Sequence, residues 1–284
     1  MAIFEQNWKV LALRFASLAP SDIDADLCRS YARERFERGK LVKVRRGEEV
    51  IAERRDISPS TVWTELVRLR VCLEWAEERR LIEKAPYVWV PSPSEPRSRV
   101  LTEDEFWRLI DATKNPHVRL FMLLAIATGG RHTAILELTW DRVDFDAGVI
   151  NLRKPVERDP MSKRSFKGRA VVAMNNLIRA ALTEAEAGAT TDYVIEWDGK
   201  PLKSVKKAFQ RAVRDAGLTG VTPHTFRHTT ATWLTEGDVD LAKVARFLGH
   251  RNVTTTEVVY SKPKGGQLAG AARVVELRLK QARK

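Results

Sequence analysis

The sequence predicts a mainly α-helical protein with a small β-sheet (an α+β fold), built as two domains. Three observations predict it. Apolar residues recur at helical spacing through most of the chain. Two β-type runs, GVINL and GRAVVAM, flank one polar loop in the second half. Between the halves, PSPSEPRS at residues 91–98 carries three prolines and no core-forming residue, the composition of a stiffened linker. The boundaries drawn from these features are 1–92, a linker at 93–99, and 100–284. A chain of 284 residues accommodates two domains of about 100–200 residues each.

The N-terminal domain reads as all-helical. Ser21 is a candidate cap for a helix running through DIDADLCRSYARERFER to Gly39, and a polar connection follows. Ser58-Pro59-Ser60 opens the strongest helix of this half, in which Val62, Leu66, Leu69, Leu73 and Ala76 define one apolar face. Its other face is the charged run Glu74, Glu77, Glu78, Arg79 and Arg80, so the apolar stripe must be buried against partner helices. Cys28 and Cys72 fall in helical segments without metal or redox spacing, and both read as buried thiols in a reducing compartment.

Past the linker, Thr102 and Glu105 form a capping box that opens the helix EFWRLIDA. HVRLFMLLAIATGG reads as a buried helix closed by Gly129-Gly130. Asp146-Ala147-Gly148 is a turn, from which GVINL leaves as a strand; GRAVVAM is a second strand, reached through PVERDPMSKRSFK. Helices follow at about 175–187, 203–216, 224–236 and 240–248. At the end of the chain Leu268, Ala272, Val275 and Leu279 share one stripe.

Composition narrows the function. No apolar run approaches the ~20 residues needed to span a bilayer, the longest being Leu120 to Thr128. The N-terminus lacks the basic-then-apolar pattern of a signal peptide, so a cytoplasmic protein without a membrane partner is expected. The 49 basic residues outnumber the 37 acidic ones, giving a net charge of +12 that suggests a polyanionic partner. The excess is uneven. Residues 1–95 carry 17 basic and 16 acidic groups, whereas the last 34 carry 8 and 2, so positive charge gathers around Tyr260 and beyond.

Four polar sites interrupt the scaffold. Arg131 directly follows a Gly-Gly helix end inside apolar surroundings. The loop between the strands carries Lys163, Arg164 and Lys167. His224 and Arg227, three apart in PHTFRHTTATWL, share a face if Pro223 starts a helix. His250 follows a helix-ending glycine in LGHRNVTTTEVVY, ten residues before Tyr260. Taken alone, each has an ordinary structural reading as a cap, a surface pair or a loop. His132 and His228 read as structural.

Together, in this chain order and with these local sequences, the four sites resemble the tyrosine recombinase (phage integrase) family. TVWTELVRLRVCLEWAEERRLIEKAP resembles the family's core DNA-binding domain, and RVLTEDEFWRLIDA the opening of its catalytic domain. ATGGR is similar to its first arginine box, HTFRHTTATWL to its His-x-x-Arg box, and LGH with TTEVVY to its final box.

The resemblance implies a site-specific DNA recombinase that cuts and rejoins strands through a 3′-phosphotyrosyl ester. It assigns Tyr260 as nucleophile and Arg131 and Arg227 to the nonbridging phosphate oxygens. A guanidinium suits that place because it binds phosphate through a planar fork and stays charged. His224 is assigned to proton handling near the nucleophile and His250 to a bond on a phosphate oxygen. Lys163 is the general acid for the departing 5′ oxygen, with Lys167 the alternative. No metal or cofactor is implied, and no carboxylate cluster has two-metal spacing.

The implied partners are double-stranded DNA and further copies of the chain, as a tetramer on two duplexes. An accessory DNA-bending protein is a further candidate, and nucleoid association during action follows. The 268–279 stripe is either a segment lent to a neighbouring subunit or a helix folded back on its own domain. Lys40, Lys43, Arg45, Arg46, Arg164 and Lys167 are the candidate DNA contacts. Two departures stand out. The family's acidic residue three after the first arginine is Ala134 here, with Glu137 one turn further on. The spacing from His250 to Tyr260 is one longer than in many members. A topoisomerase IB-like nicking and closing enzyme and a catalytically silent DNA-binding protein are the competing readings.

Overall fold

The structure, a computed structural model, describes residues 2–46, 49–95, 99–153 and 168–250. The chain divides into two compact units between residues 97 and 98.

The first unit runs from α1 (Ala2–Phe15) through a 3-10 turn at Pro20–Asp22 to α2 (Ala25–Arg38), and a hairpin leads on to α3 (Pro59–Glu78). Asp24, rather than Ser21, caps α2, accepting a bond from the Leu27 amide at 2.8 Å. Ser21 is taken up in the 3-10 turn that Pro20 starts. The apolar face expected on α3 is the buried one, and Val62, Leu66, Leu69 and Leu73 pack with Leu11, Phe15 and Tyr31. One ion pair lies inside this core. Arg35 donates to the Glu65 carboxylate at 2.8 and 3.0 Å, and the Tyr31 hydroxyl donates to it at 2.8 Å. Burial and the Glu65 charge push the Tyr31 phenol's pKa upward. Removing one partner would strand a buried charge, so the triad pins α2 to α3.

Two expectations for this unit are corrected. It is not all-helical: the segment read as a polar connection is an antiparallel hairpin, β1 (Lys40–Arg46) with β2 (Glu49–Arg55), in register from Lys40↔Arg55 to Arg46↔Glu49. Its strands are so rich in charge that the two-residue alternation of apolar residues is faint. Leu41 is 76% exposed, and no described side chain of the ladder joins the core. Cys72 is exposed, and only Cys28 is buried. Cys72 precedes Leu73 by one residue, a rotation of about 100° that carries it off the buried face.

In the second unit, α4 (Glu103–Asp111) starts at the expected capping box, with the Glu105 amide donating to the Thr102 hydroxyl at 3.2 Å. Then come α5 (Pro116–Thr128), the short α6 (His132–Leu136) and a three-stranded antiparallel sheet. Its strands are β3 (Val143–Asp144), β4 (Val149–Asn151) and β5 (Val171–Ala173). Next are α7 (Asn176–Ala187), a two-residue strand pair β6 (Glu196–Trp197) and β7 (Lys200–Pro201), and α8 (Lys206–Asp215). Last of the described elements are α9 (Pro223–Glu236) and α10 (Leu241–Leu248).

From Leu120 onward α5 is apolar on every side because this part packs in the core of the unit, with Phe121, Met122 and Leu124 fully buried. Helix α9 lies antiparallel against it. The Thr230 hydroxyl donates to the Ile126 carbonyl at 2.8 Å, and nearer the N-terminus of α9 Arg227 donates to the Gly129 carbonyl at 2.9 Å. Phe226 meets Phe106 and Phe209 edge-on, with ring centroids 6.3 and 5.9 Å apart, anchoring the other side of α9. This packing brings the start of α9 to the end of α5. Among the described residues, no helix is long and apolar enough to cross a membrane.

Candidate active site

Three chain reversals build the site. The first is the end of α5, where Gly129 takes a left-handed conformation (φ +58°) and Gly130 leads into Arg131, the residue before α6. A Cβ on Gly129 would lie 2.6 Å from Leu248 Cδ2, so the turn that leads into Arg131 packs directly on α10. The second is the start of α9, where Thr222 and Pro223 set the helix entry and place His224, Arg227 and His228 at i, i+3 and i+4. The third is the end of α10. Asp240 caps its start, and Gly249 (φ +67°) ends it while the His250 amide bonds back to the Ala245 carbonyl at 2.8 Å.

Arg227 is 3% exposed, with the Gly129 carbonyl among its partners. Arg131 is half-buried and donates to the Gly168 carbonyl. Both arginines line one recess with Gly130, Ala134, Gly168 and Arg169. His224 is solvent-accessible and His250 half-buried.

The electrostatics tie the four groups together. Desolvation pushes the His224 pKa down to about 4, and the charges of His228, Arg227, Arg131 and His132 push the same way. His250 is also pushed down to about 4, by desolvation and then by Arg227, Arg131 and His224. Arg131 is lowered by burial and by the nearby Arg169. A cleft that holds two guanidiniums and keeps both imidazoles neutral is a receptor for an anion. The neutral imidazoles can still accept a proton or donate an N–H.

Of the residues singled out from the sequence, Arg131, His224, Arg227 and His250 come together here. Lys163, Arg164, Lys167 and Tyr260, like the 268–279 stripe, lie outside the described residues. Lys40 is exposed at the foot of the hairpin in the first unit, and Lys43, Arg45 and Arg46 follow it along β1. His228, read as structural, stands edge-on to His224 with ring centroids 4.5 Å apart. Their i, i+4 spacing was the available signal. Arg169 carried no signal of its own: its place beside Arg131 is tertiary.

Two guanidiniums and two imidazoles gathered at the ends of helices make this the class of site that receives an anion. The phage integrase family model matches residues 99–265, and the chain belongs to that family. An integrase/recombinase of Escherichia coli is 30% identical over 206 residues, covering 59% of this chain and 61% of that protein. The tyrosine recombinase XerA of Thermococcus kodakarensis is 33% identical over 181 residues, covering 60% and 61%. This chain therefore spans about three-fifths of the length of those two relatives. Among solved structures, the Tn1549 transposon integrase in complex with a circular intermediate DNA has the same fold. Its TM-score is 0.75 at 17% identity, covering 97% of this chain and 92% of that one. A lambda integrase dimer bound to a core site matches with a TM-score of 0.67 at 17% identity, over 91% and 70%.

Proposed function

We propose that this protein is a site-specific DNA recombinase that breaks and reseals strands through a 3′-phosphotyrosyl intermediate. One observation carries the reading: Arg131, His224, Arg227 and His250, from three separate chain reversals, converge on a single cationic cleft.

A phosphodiester resists attack because its oxygens are negative and its leaving alkoxide is poor. Arg131 and Arg227 bind the nonbridging oxygens and stabilise the charge that builds on them in the pentacoordinate transition state. Tyr260 Oη attacks phosphorus and its proton passes to His224, which is neutral and able to take it. A phenol with an ordinary pKa of about 10 needs that help. The P–O5′ bond breaks as Lys163, or Lys167 in its place, protonates the departing oxygen. His250 donates to a nonbridging oxygen. The new phosphotyrosine ester conserves the bond energy, so the 5′ hydroxyl of a partner strand reseals the backbone by the reverse steps. Double-stranded DNA is the substrate, and a tetramer on two duplexes is the working assembly. Lys40, Lys43, Arg45 and Arg46 contribute phosphate contacts from the first unit.

The test is a nicked suicide substrate carrying the protein's own site. The wild-type chain should form a denaturation-resistant protein–DNA adduct that Tyr260→Phe abolishes. Tight binding without an adduct would replace this reading with that of a DNA-binding protein only.

A further inference from the structure

Ala134 is where the structure departs most from the family resemblance. A methyl group stands three residues after Arg131, 2% exposed, on the wall of the recess that holds both arginines. The free space in that recess is about 10 Å³, room for roughly one water. The segment Gly168–Ala170 forms part of the wall of this recess, alongside Ala134 and Arg131.

That segment is held at three points. The Leu152 amide donates to the Ala170 carbonyl at 3.0 Å, continuing the β4–β5 ladder. On another side Gly249 presses against it so closely that a Cβ would come within 2.8 Å of the Arg169 carbonyl carbon. The third point is a side chain: Arg169 Nη2 donates to Glu137 Oε2 at 2.8 Å. The Glu137 backbone is fixed in turn, its carbonyl accepting from Arg142. From this clamped segment the Gly168 carbonyl receives the Arg131 guanidinium.

We propose that Arg169, anchored by Glu137, is a positioning residue for Arg131 and replaces the absent acid at position 134. A carboxylate touching Arg131 would orient it and also neutralise part of its charge. Here orientation comes from a backbone carbonyl, while the carboxylate of Glu137 balances Arg169, so the charge of Arg131 is left for the phosphate. Because the same segment abuts Gly249, it also sets the depth of His250. The inference rests on the strand-transfer reading.

The experiment uses the full chain and measures two quantities: the affinity for the suicide substrate, and the rate of adduct formation at saturating DNA. Arg169→Ala should slow adduct formation about 10- to 100-fold, the scale of a misplaced catalytic group, with affinity changed less than about threefold. Arg169→Lys keeps the charge without the fork and should recover part of that rate. Glu137→Gln should slow the reaction in the same direction, and the double variant should be no slower than Arg169→Ala alone.

A second substrate, with a neutral methylphosphonate at the scissile position, removes a charge that Arg131 serves. On it the gap between wild type and Arg169→Ala should close. Equal slowing on both substrates would make Arg169 merely structural, and unchanged adduct formation would give it no role; either overturns the inference. A wild-type chain that forms no adduct rejects the strand-transfer reading and this inference with it.

Discussion

Replacing Gly249 with alanine tests how the final box is built, and Gly217 supplies the matched control. Both glycines have φ +67°. An L-residue in that left-handed conformation costs roughly 1–2 kcal/mol. Among the described residues nothing lies within 4 Å of a Cβ placed on Gly217, so that conformational cost is the whole expected effect of Gly217→Ala. On Gly249 the new Cβ would meet backbone atoms of Arg169 and Ala170 at 2.8 and 2.9 Å. Those atoms belong to a segment bonded to β4 and cannot move aside cheaply, so overpacking adds about 1–3 kcal/mol. At about 2–4 °C per kcal/mol for a domain of this size, Gly217→Ala should lower the melting transition of the second unit by about 2–8 °C. Adding the overpacking cost, Gly249→Ala should lower it by about 4–20 °C. Calorimetry of the full chain reads both. The close approach also carries His250, so Gly249→Ala should slow adduct formation more than it weakens DNA binding, whereas Gly217→Ala should do neither. Equal destabilisation by the two substitutions would refute the close packing at Gly249, and with it the argument that this glycine sets the position of His250.

Two further outcomes are expected. Because His224 and His250 sit at about 4 in the free protein, the acid limb of kcat/KM for adduct formation should bend well below pH 6. An inflection at the ordinary histidine value of about 6.5 would contradict the crowding of charges described for the cleft. The same shifts mean that the folded state binds fewer protons than the unfolded one between those two values. Stability should therefore fall as pH drops through that window. The hairpin offers a different test. Lys40, Arg54 and Arg55 are exposed there and outside the core. Neutralising all three should leave the melting transition of the first unit in place. It should also flatten the salt dependence of DNA binding, by about 0.9 in the log–log slope for each phosphate that these side chains neutralise. An unchanged slope would place the hairpin away from the duplex.

Much of the fold was legible because it depends on short-range patterns. The stripe Val62, Leu66, Leu69 and Leu73 declared the buried face of α3, and the apolar run from Leu120 declared that α5 enters the core. Thr102 with Glu105, and the glycines at 129 and 249, marked helix ends that the structure places where the sequence put them. The first unit was read less well. Charges interleave so densely along β1 and β2 that period-two alternation disappears beneath them, and none of the described side chains of the ladder joins the core to leave a hydrophobic signature. Ser21 was the cap expected for α2, but the 3-10 turn that Pro20 starts takes up Ser21 and leaves Asp24 to cap the helix.

The sequence by itself determined which side chains stand at helix ends, because a glycine stop or a capping box needs only a few neighbouring residues. Those local signals left each polar residue with an ordinary structural reading, and it was the resemblance of the four local sequences to the tyrosine recombinase family that singled out Arg131, His224, Arg227 and His250. Only the tertiary structure decided that these groups share one cleft, that the charges around both imidazoles push their pKa values down, and that Arg169 pairs with Glu137 beside Arg131. Proximity and electric field depend on distances through space between remote segments, and no local string of residues encodes such a distance.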